Sequence, residues 1–200
     1  MSMVITGIES GMARAAGDAT LRPVNSLAKQ LGFWIFLLTG TAVLGFEPEQ
    51  DGMAGIKEMV RKRFPEVNQL PTRELAAWLA DTNRPQPVIL DVRQTEEFAV
   101  SHLAGARNVN PAARGDSLKA LVPTNRPVVV YCSVGYRSSE LARRLMKAGI
   151  TNVFNLEGSI FQWANEGRPV VATNGPAVKV HPYNDLWGAL LKPEVRGAAK

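Results

Sequence analysis

The chain has 200 residues, of which 46% are hydrophobic and 20% charged, as is typical of a globular protein. Its net charge of +5 comes from scattered basic residues without interleaved aromatic side chains, which argues against a nucleic-acid partner. One cysteine and two histidines exclude an internal disulfide and argue against a structural zinc site. We therefore expect no metal and no cofactor.

The first 65 residues comprise three segments of different composition. Residues 1–30 mix Gly, Ala, Ser and scattered charges, and we predict a disordered or targeting region. Residues 31–46 form an uncharged apolar run, short for a bilayer span of about 20 residues. A membrane anchor, a signal peptide and a soluble hydrophobic helix docked on the domain all fit this run. Residues 47–65 have the composition of a linker, with a short helix predicted over 54–64.

Strands and helices alternate from residue 66 onwards. Apolar, β-branched runs predict strands at residues 67–70, 88–93, 127–131 and 152–156. Helical periodicity predicts helices over 73–80 and 139–148. This alternation predicts an α/β fold, in which helices flank a central, largely parallel sheet.

The single cysteine, Cys132, lies where the third predicted strand ends and a helix begins. The first amides of a helix have no internal partners and point at whatever lies over its N-terminus. If the loop wraps around the sulfur, these amides and the Arg137 charge would lower the pKa of the thiol and produce a nucleophilic thiolate. The same cradle would bind an anion. The loop residues in question are Ser133, Val134, Gly135, Tyr136, Arg137 and Ser138. A buried structural cysteine is the alternative.

Three blocks of the chain carry further motifs. The first block contains Leu-Asp-Val-Arg, Glu-Glu-Phe and Ser-His-Leu-x-Gly-Ala-x-Asn, at residues 90–93, 96–98 and 101–108. The second is Cys-x-x-Gly-x-Arg at 132–137. The third contains Gly-Ser-x-x-x-Trp and Gly-x-Pro-Val, at 158–163 and 167–170. In this order the blocks resemble the rhodanese-like family of single-domain sulfurtransferases.

The resemblance covers residues 66–171 and implies a rhodanese-like domain there, followed by a tail at 172–200 with no assigned role. It implies Cys132 as the catalytic residue and Ser133 to Ser138 as the substrate-binding loop. It also implies that Asp91 and Arg93 support the loop structurally, and that His102 is structural rather than a general base. Ser159 stands where the family has a second glycine.

Three functions stay open at this point. In a sulfurtransferase, Cys132 would take sulfur from a small anionic donor such as thiosulfate, or from a persulfide, and pass it to a thiol or protein acceptor. A phosphatase or arsenate reductase resembles this pattern, but with Cys-x5-Arg instead of the Cys-x4-Arg present here. The third function is a non-catalytic binding or tethering module. Because Arg137 is the loop's single cation, we expect thiosulfate to be a surrogate donor.

Localisation depends on the apolar run. If residues 31–46 are an anchor, the basic cluster at 61–63 favours membrane association with a cytoplasmic catalytic domain. A soluble cytoplasmic protein is the alternative.

Overall fold

A computed structural model of the chain describes residues 48–114, 116–120, 122 and 126–198. The predictions for residues 1–30 and for the apolar run at 31–46 lie outside these ranges and stay predictions. Within the described ranges, no helix combines the length and the apolar character needed to cross a membrane.

A five-stranded parallel sheet lies at the centre of the domain. Its strands are β1 (Asn68–Leu70), β2 (Val88–Asp91), β3 (Arg107–Asn108), β4 (Val128–Tyr131) and β5 (Val153–Leu156). They lie side by side in the order β1-β5-β4-β2-β3, and all neighbours run parallel. The parallel α/β sheet expected from the sequence is therefore confirmed. A separate antiparallel hairpin pairs β6 (Val170–Ala172) with β7 (Gly175–Ala177).

Helices and alternating strand residues build two apolar clusters. The helices are α1 (Pro48–Arg63), α2 (Thr72–Ala80), α3 (Thr95–Val100), α4 (Asp116–Lys119), α5 (Tyr136–Lys147), α6 (Ser159–Asn165) and α7 (Asp185–Gly188). In the central strand β4, Val129 and Tyr131 belong to a cluster that includes residues of α2 and α6. Val128 and Val130 belong to a second cluster with residues of α1 and α5. This alternation follows from the two-residue period of a strand, and it explains why β4 is apolar throughout.

Helix α1 occupies most of the segment, 47–65, that the sequence suggests is a linker. Met53, Val60 and Phe64 are buried, and Ile56 packs against both clusters. These residues recur at helical spacing, which gives α1 one apolar stripe facing the domain. The linker prediction is wrong here because α1 packs on the domain. In the sequence, glycine and charged residues between the apolar positions obscure the apolar stripe.

The C-terminal segment 172–200 also packs on the domain, as far as residue 198. Val180 and Leu191 are fully buried in the first cluster. Helix α7 lies between them in sequence and places Trp187 against the same cluster. The segment is therefore an integral layer of the fold, and it brings aromatic side chains to the site described next.

Candidate active site

Cys132 follows β4 directly and is 1% exposed. Its Sγ accepts a hydrogen bond from the backbone N–H of Gly135 at 3.1 Å. Gly135 has φ 108°, a left-handed conformation that turns the chain straight into α5. Helix α5 therefore begins at Tyr136, three residues before the predicted start, and its first turn holds Arg137 beside the sulfur.

The surroundings of Cys132 favour its thiolate. Burial raises the pKa of the thiol, but the Arg137 charge, the Ser138 hydroxyl and the backbone N–H groups of Ser138 and Gly135 all lower it. The pKa of the thiol is consequently below its ordinary value. This is the direction that the loop sequence predicts, and it enriches the nucleophilic form near neutral pH.

A buried carboxylate holds the loop's cation. Arg137 donates from Nη1 to Glu97 Oε2 at 2.9 Å and from Nη2 to Glu97 Oε1 at 3.0 Å. The Ser133 hydroxyl donates to Glu97 Oε1 at 3.1 Å and accepts from Arg137 Nη2 at 3.0 Å. Burial raises the pKa of Glu97, but its bonds to Arg137 outweigh this and hold that pKa below the usual range. The Ser133 hydroxyl, predicted to bind substrate, is thus engaged with Glu97 and Arg137.

Asp91 and Arg93 form a fully buried ion pair at the end of β2. Arg93 Nη2 lies 2.7 Å from Asp91 Oδ2, and both side chains are 0% exposed. The same Nη2 donates to the backbone carbonyl of Ser101 at 2.5 Å. The pair thereby ties β2, the neighbour of β4, to the segment after α3. This arrangement agrees with the supporting role that the family resemblance implies.

His102 makes structural contacts. Its Nδ1 lies 2.9 Å from the carbonyl oxygen of Phe98, and its ring stacks on the Phe98 ring at 3.8 Å between centroids. Its backbone forms a bridge with Val171. Among the described residues, no three His, Cys, Asp or Glu side chains come together as ligands for a metal ion.

The N-terminus of α6 holds the backbone of the cysteine loop. The Ser159 hydroxyl accepts from the Cys132 N–H at 3.1 Å and donates to the Leu156 carbonyl at 3.0 Å. Ile160 N–H donates to the Cys132 carbonyl, and Phe161 N–H donates to the Ser133 carbonyl. Ser159 has φ 52°, a conformation that favours glycine. The serine in place of a motif glycine was therefore a signal in the sequence, although its contact with Cys132 was not predicted.

A pocket of about 340 Å³ opens over Cys132. Its walls combine Ser133, Val134, Tyr136 and Arg137 from the loop with Met59, Tyr183 and Trp187 from outside it. The guanidinium carbon of Arg137 lies 5.0 Å from the centroid of the Tyr183 ring. Met59, Tyr183 and Trp187 lie outside every motif block, so nothing in the sequence predicted that they would lie near the cysteine.

Comparison with known proteins places this site in a family. The chain matches the model of the rhodanese-like domain over residues 72–166. A sulfurtransferase of Allochromatium vinosum is 34% identical over 109 residues, which cover 54% of this chain and 99% of that protein. The chain belongs to the rhodanese-like family. The resemblance predicted from its three motif blocks is confirmed, and the relatives support a sulfurtransferase at the level of the family.

Two further relatives are less than 30% identical to this chain. The thiosulfate sulfurtransferase GlpE of Pseudomonas fluorescens is 28% identical over 102 residues, covering 51% of this chain and 84% of that protein. A crystal structure of a rhodanese-like domain protein from Staphylococcus aureus is 25% identical with a TM-score of 0.46, covering 54% of this chain and 99% of that one. The rhodanese-like match at 72–166 includes the cysteine loop, Glu97 and Ser159, but not Met59 or the C-terminal segment.

Proposed function

We propose that this protein is a sulfurtransferase that carries sulfane sulfur as a persulfide on Cys132. The observation that supports this most directly is the environment of the thiol. Its pKa is lowered, its Sγ accepts a backbone hydrogen bond from Gly135, and it lies beneath a pocket. A buried structural cysteine would need none of these features.

The first half-reaction loads the cysteine. The Cys132 thiolate attacks the outer sulfur of a donor such as thiosulfate or a persulfide, and a bond forms between Sγ and that sulfur. The bond from that sulfur to the rest of the donor breaks, and its electron pair leaves with sulfite or with a thiolate. The resulting persulfide is negatively charged, and its inner sulfur keeps the surroundings that favour the thiolate: the amide of Gly135, which donates to Sγ, and the Arg137 charge.

The second half-reaction returns the thiolate. A thiophilic acceptor, such as cyanide, a small thiol or a protein thiol, attacks the outer sulfur, and Cys132 leaves with the electron pair of the broken S–S bond. The sulfane sulfur enters and leaves at the same oxidation level, so no external oxidant or reductant is needed. Because the chain has one cysteine, no second thiol within it can release the sulfur, and the acceptor comes from outside.

Mass spectrometry tests the proposal. After incubation of the full chain with thiosulfate or a small-molecule persulfide, we expect the mass of one sulfur atom to be added at Cys132. Cyanide should remove it and yield thiocyanate. The matched control is Cys132→Ser, which should keep its circular dichroism spectrum and gain no sulfur. Absence of the adduct from folded wild-type protein with either donor would refute the proposal, as would equal transfer by folded Cys132→Ser.

An aryl phosphate assay addresses the phosphatase alternative. The loop provides four residues between Cys132 and Arg137, one fewer than the phosphatase-like pattern, and the Arg137 guanidinium is held by Glu97. We expect no hydrolysis above the Cys132→Ser blank. Cysteine-dependent hydrolysis without a detectable persulfide would instead favour the phosphatase.

A further inference from the structure

The charge of the pocket does not suit an inorganic dianion. Among the described residues that line it, Arg137 is the one cation, and both of its terminal nitrogens donate to Glu97. With Cys132 as thiolate, the charges of Arg137, Glu97 and Cys132 sum to one negative charge. Thiosulfate carries two negative charges and would meet this net charge in a partly desolvated site, where repulsion is stronger than in water.

The walls of the pocket are apolar and come from three parts of the chain. Val134 and Tyr136 belong to the loop, Met59 to α1, and Tyr183 and Trp187 to the C-terminal segment. Met59, Tyr136 and Tyr183 are also three of the five large hydrophobic residues that the described part of the chain leaves exposed. These three exposed apolar side chains therefore adjoin one another at this pocket, and such a patch is typical of a binding site.

The backbone at Tyr183 holds its ring at this mouth. Tyr183 has φ 68°, which is unusual for a bulky aromatic residue. Its N–H donates to His181 Nδ1 at 3.0 Å, and His181 is itself buried. The Tyr183 ring faces the Arg137 guanidinium and is 48% exposed. Strained backbone of this kind is found where the surrounding structure fixes it for a function.

We infer that the pocket selects small sulfane-sulfur carriers with an apolar or aromatic body, and that Tyr183, Trp187 and Met59 determine this selectivity. The inference rests on the proposed function, because it specifies the donor of the same cysteine. The size of the pocket, about 340 Å³, suits a small molecule. The sulfur end of such a carrier meets Cys132, and its body covers the apolar walls.

Two thiosulfonates provide a matched pair of probes. Benzenethiosulfonate and methanethiosulfonate have the same sulfur-donating group and the same single negative charge, and they differ in the body. With either donor, the Cys132 thiolate forms a bond to the sulfane sulfur, the bond from that sulfur to the sulfonyl sulfur breaks, and sulfinate leaves with the electron pair. The ratio of kcat/KM for the two donors, divided by the ratio of their rates with free cysteine, isolates recognition of the body.

We expect this normalised ratio to be about tenfold in favour of the aromatic donor, because the pocket removes the apolar surface of the phenyl ring from water. Tyr183→Asn should lower the normalised ratio towards one, mainly by raising KM for the aromatic donor. Asparagine is chosen because it tolerates the left-handed backbone at this position. Met59→Asn, in the part of the wall that α1 provides, should lower the ratio independently. Tyr183→Phe should retain the ratio. The control is Leu186→Asn, which alters a 78% exposed residue of the same segment outside the pocket lining.

The outcomes separate this inference from the proposed function. A normalised ratio near one in the wild type, or a ratio that folded Tyr183→Asn and Met59→Asn both retain, would overturn the selectivity while leaving a sulfurtransferase. Faster loading by thiosulfate than by benzenethiosulfonate, after the same normalisation, would also overturn it. Absence of a Cys132 persulfide with all three donors would instead refute the proposed function itself.

Discussion

Ser159 links the cysteine loop to α6 through two buried hydrogen bonds, and two substitutions there separate bonding from backbone strain. Ser159→Ala removes the bond from the Cys132 N–H at 3.1 Å and the bond to the Leu156 carbonyl at 3.0 Å. It keeps a side chain at φ 52°. Ser159→Gly removes the same two bonds, but glycine adopts this φ without steric cost.

The size of each effect follows from burial. Ser159 is 0% exposed, so its loss leaves the Cys132 N–H without a partner inside the protein. A buried hydrogen bond contributes about 1 kcal/mol, and an unpaired buried donor costs about 1–3 kcal/mol. We expect Ser159→Ala to lower the free energy of unfolding by about 2–3 kcal/mol. Ser159→Gly should be about 1 kcal/mol more stable than the alanine variant, because left-handed backbone costs an L-residue about 1–2 kcal/mol.

Urea denaturation followed by tryptophan fluorescence measures both differences. The expected order of stability is wild type, then glycine, then alanine. Persulfide formation should be slowed to a similar extent in both variants, because each frees the Cys132 N–H. If the alanine variant unfolds at the wild-type urea concentration, the hydroxyl does not anchor the loop. If the glycine variant is no more stable than the alanine variant, the left-handed backbone imposes no strain on Ser159.

Three further predictions concern Glu97, Gly135 and Arg137. Glu97→Gln should lower the free energy of unfolding by about 1–3 kcal/mol, less than for a fully buried pair, because the Arg137 side chain is 27% exposed. The pKa of Glu97 is lowered on folding, so the stability that the Glu97 carboxylate contributes is complete above about pH 4.3 and is lost as the pH falls further. The free energy of unfolding of Glu97→Gln should therefore fall less steeply with acid than that of the wild type. An equally steep fall in both proteins would contradict the ion pair. Gly135→Ala should lower the free energy of unfolding by about 1–3 kcal/mol and impair persulfide formation. The reason is that φ is 108° at this position and the new Cβ would lie 3.2 Å from Asn155 Nδ2. Thermal denaturation measures the effect, and an unchanged melting temperature would refute it. Arg137→Gln should raise the pH at which Cys132 reacts half-maximally with iodoacetamide, since Arg137 lowers the pKa of the thiol, whereas Lys147→Gln, at an exposed site on the same helix, should leave that pH unchanged.

The centre of the sheet and the cysteine loop could be predicted because their signals are local. Strands β2 and β4 are buried on both faces, so β4 and the first three residues of β2 are continuous apolar runs. Cys132, Gly135 and Arg137 lie within one six-residue stretch, where a strand–loop–helix arrangement gives each a plausible role. The predicted strands accordingly coincide with those of the structure to within two residues at each end.

The rest depends on contacts between distant parts of the chain. Glu97 is 40 residues from Arg137, and β2–β4 pairing helps to bring their segments together. Ser159 reaches Cys132 across 27 residues. Tyr183 lies in a segment without strong periodicity, and only tertiary packing places its ring beside Arg137. No local pattern predicts such contacts, so the contributions of Glu97, Ser159 and Tyr183 to the site could be seen only in the folded structure.

The hydrophobic core of this domain extends beyond the residues that match the rhodanese-like family. The family match runs from 72 to 166, yet Phe64 before it and Val180 and Leu191 after it are at most 1% exposed. A boundary drawn by homology would therefore cut through the hydrophobic interior and leave apolar surface facing water. For this chain, the stretch that matches the family and the stretch that builds the hydrophobic core are different, and the second includes residues on both sides of the first.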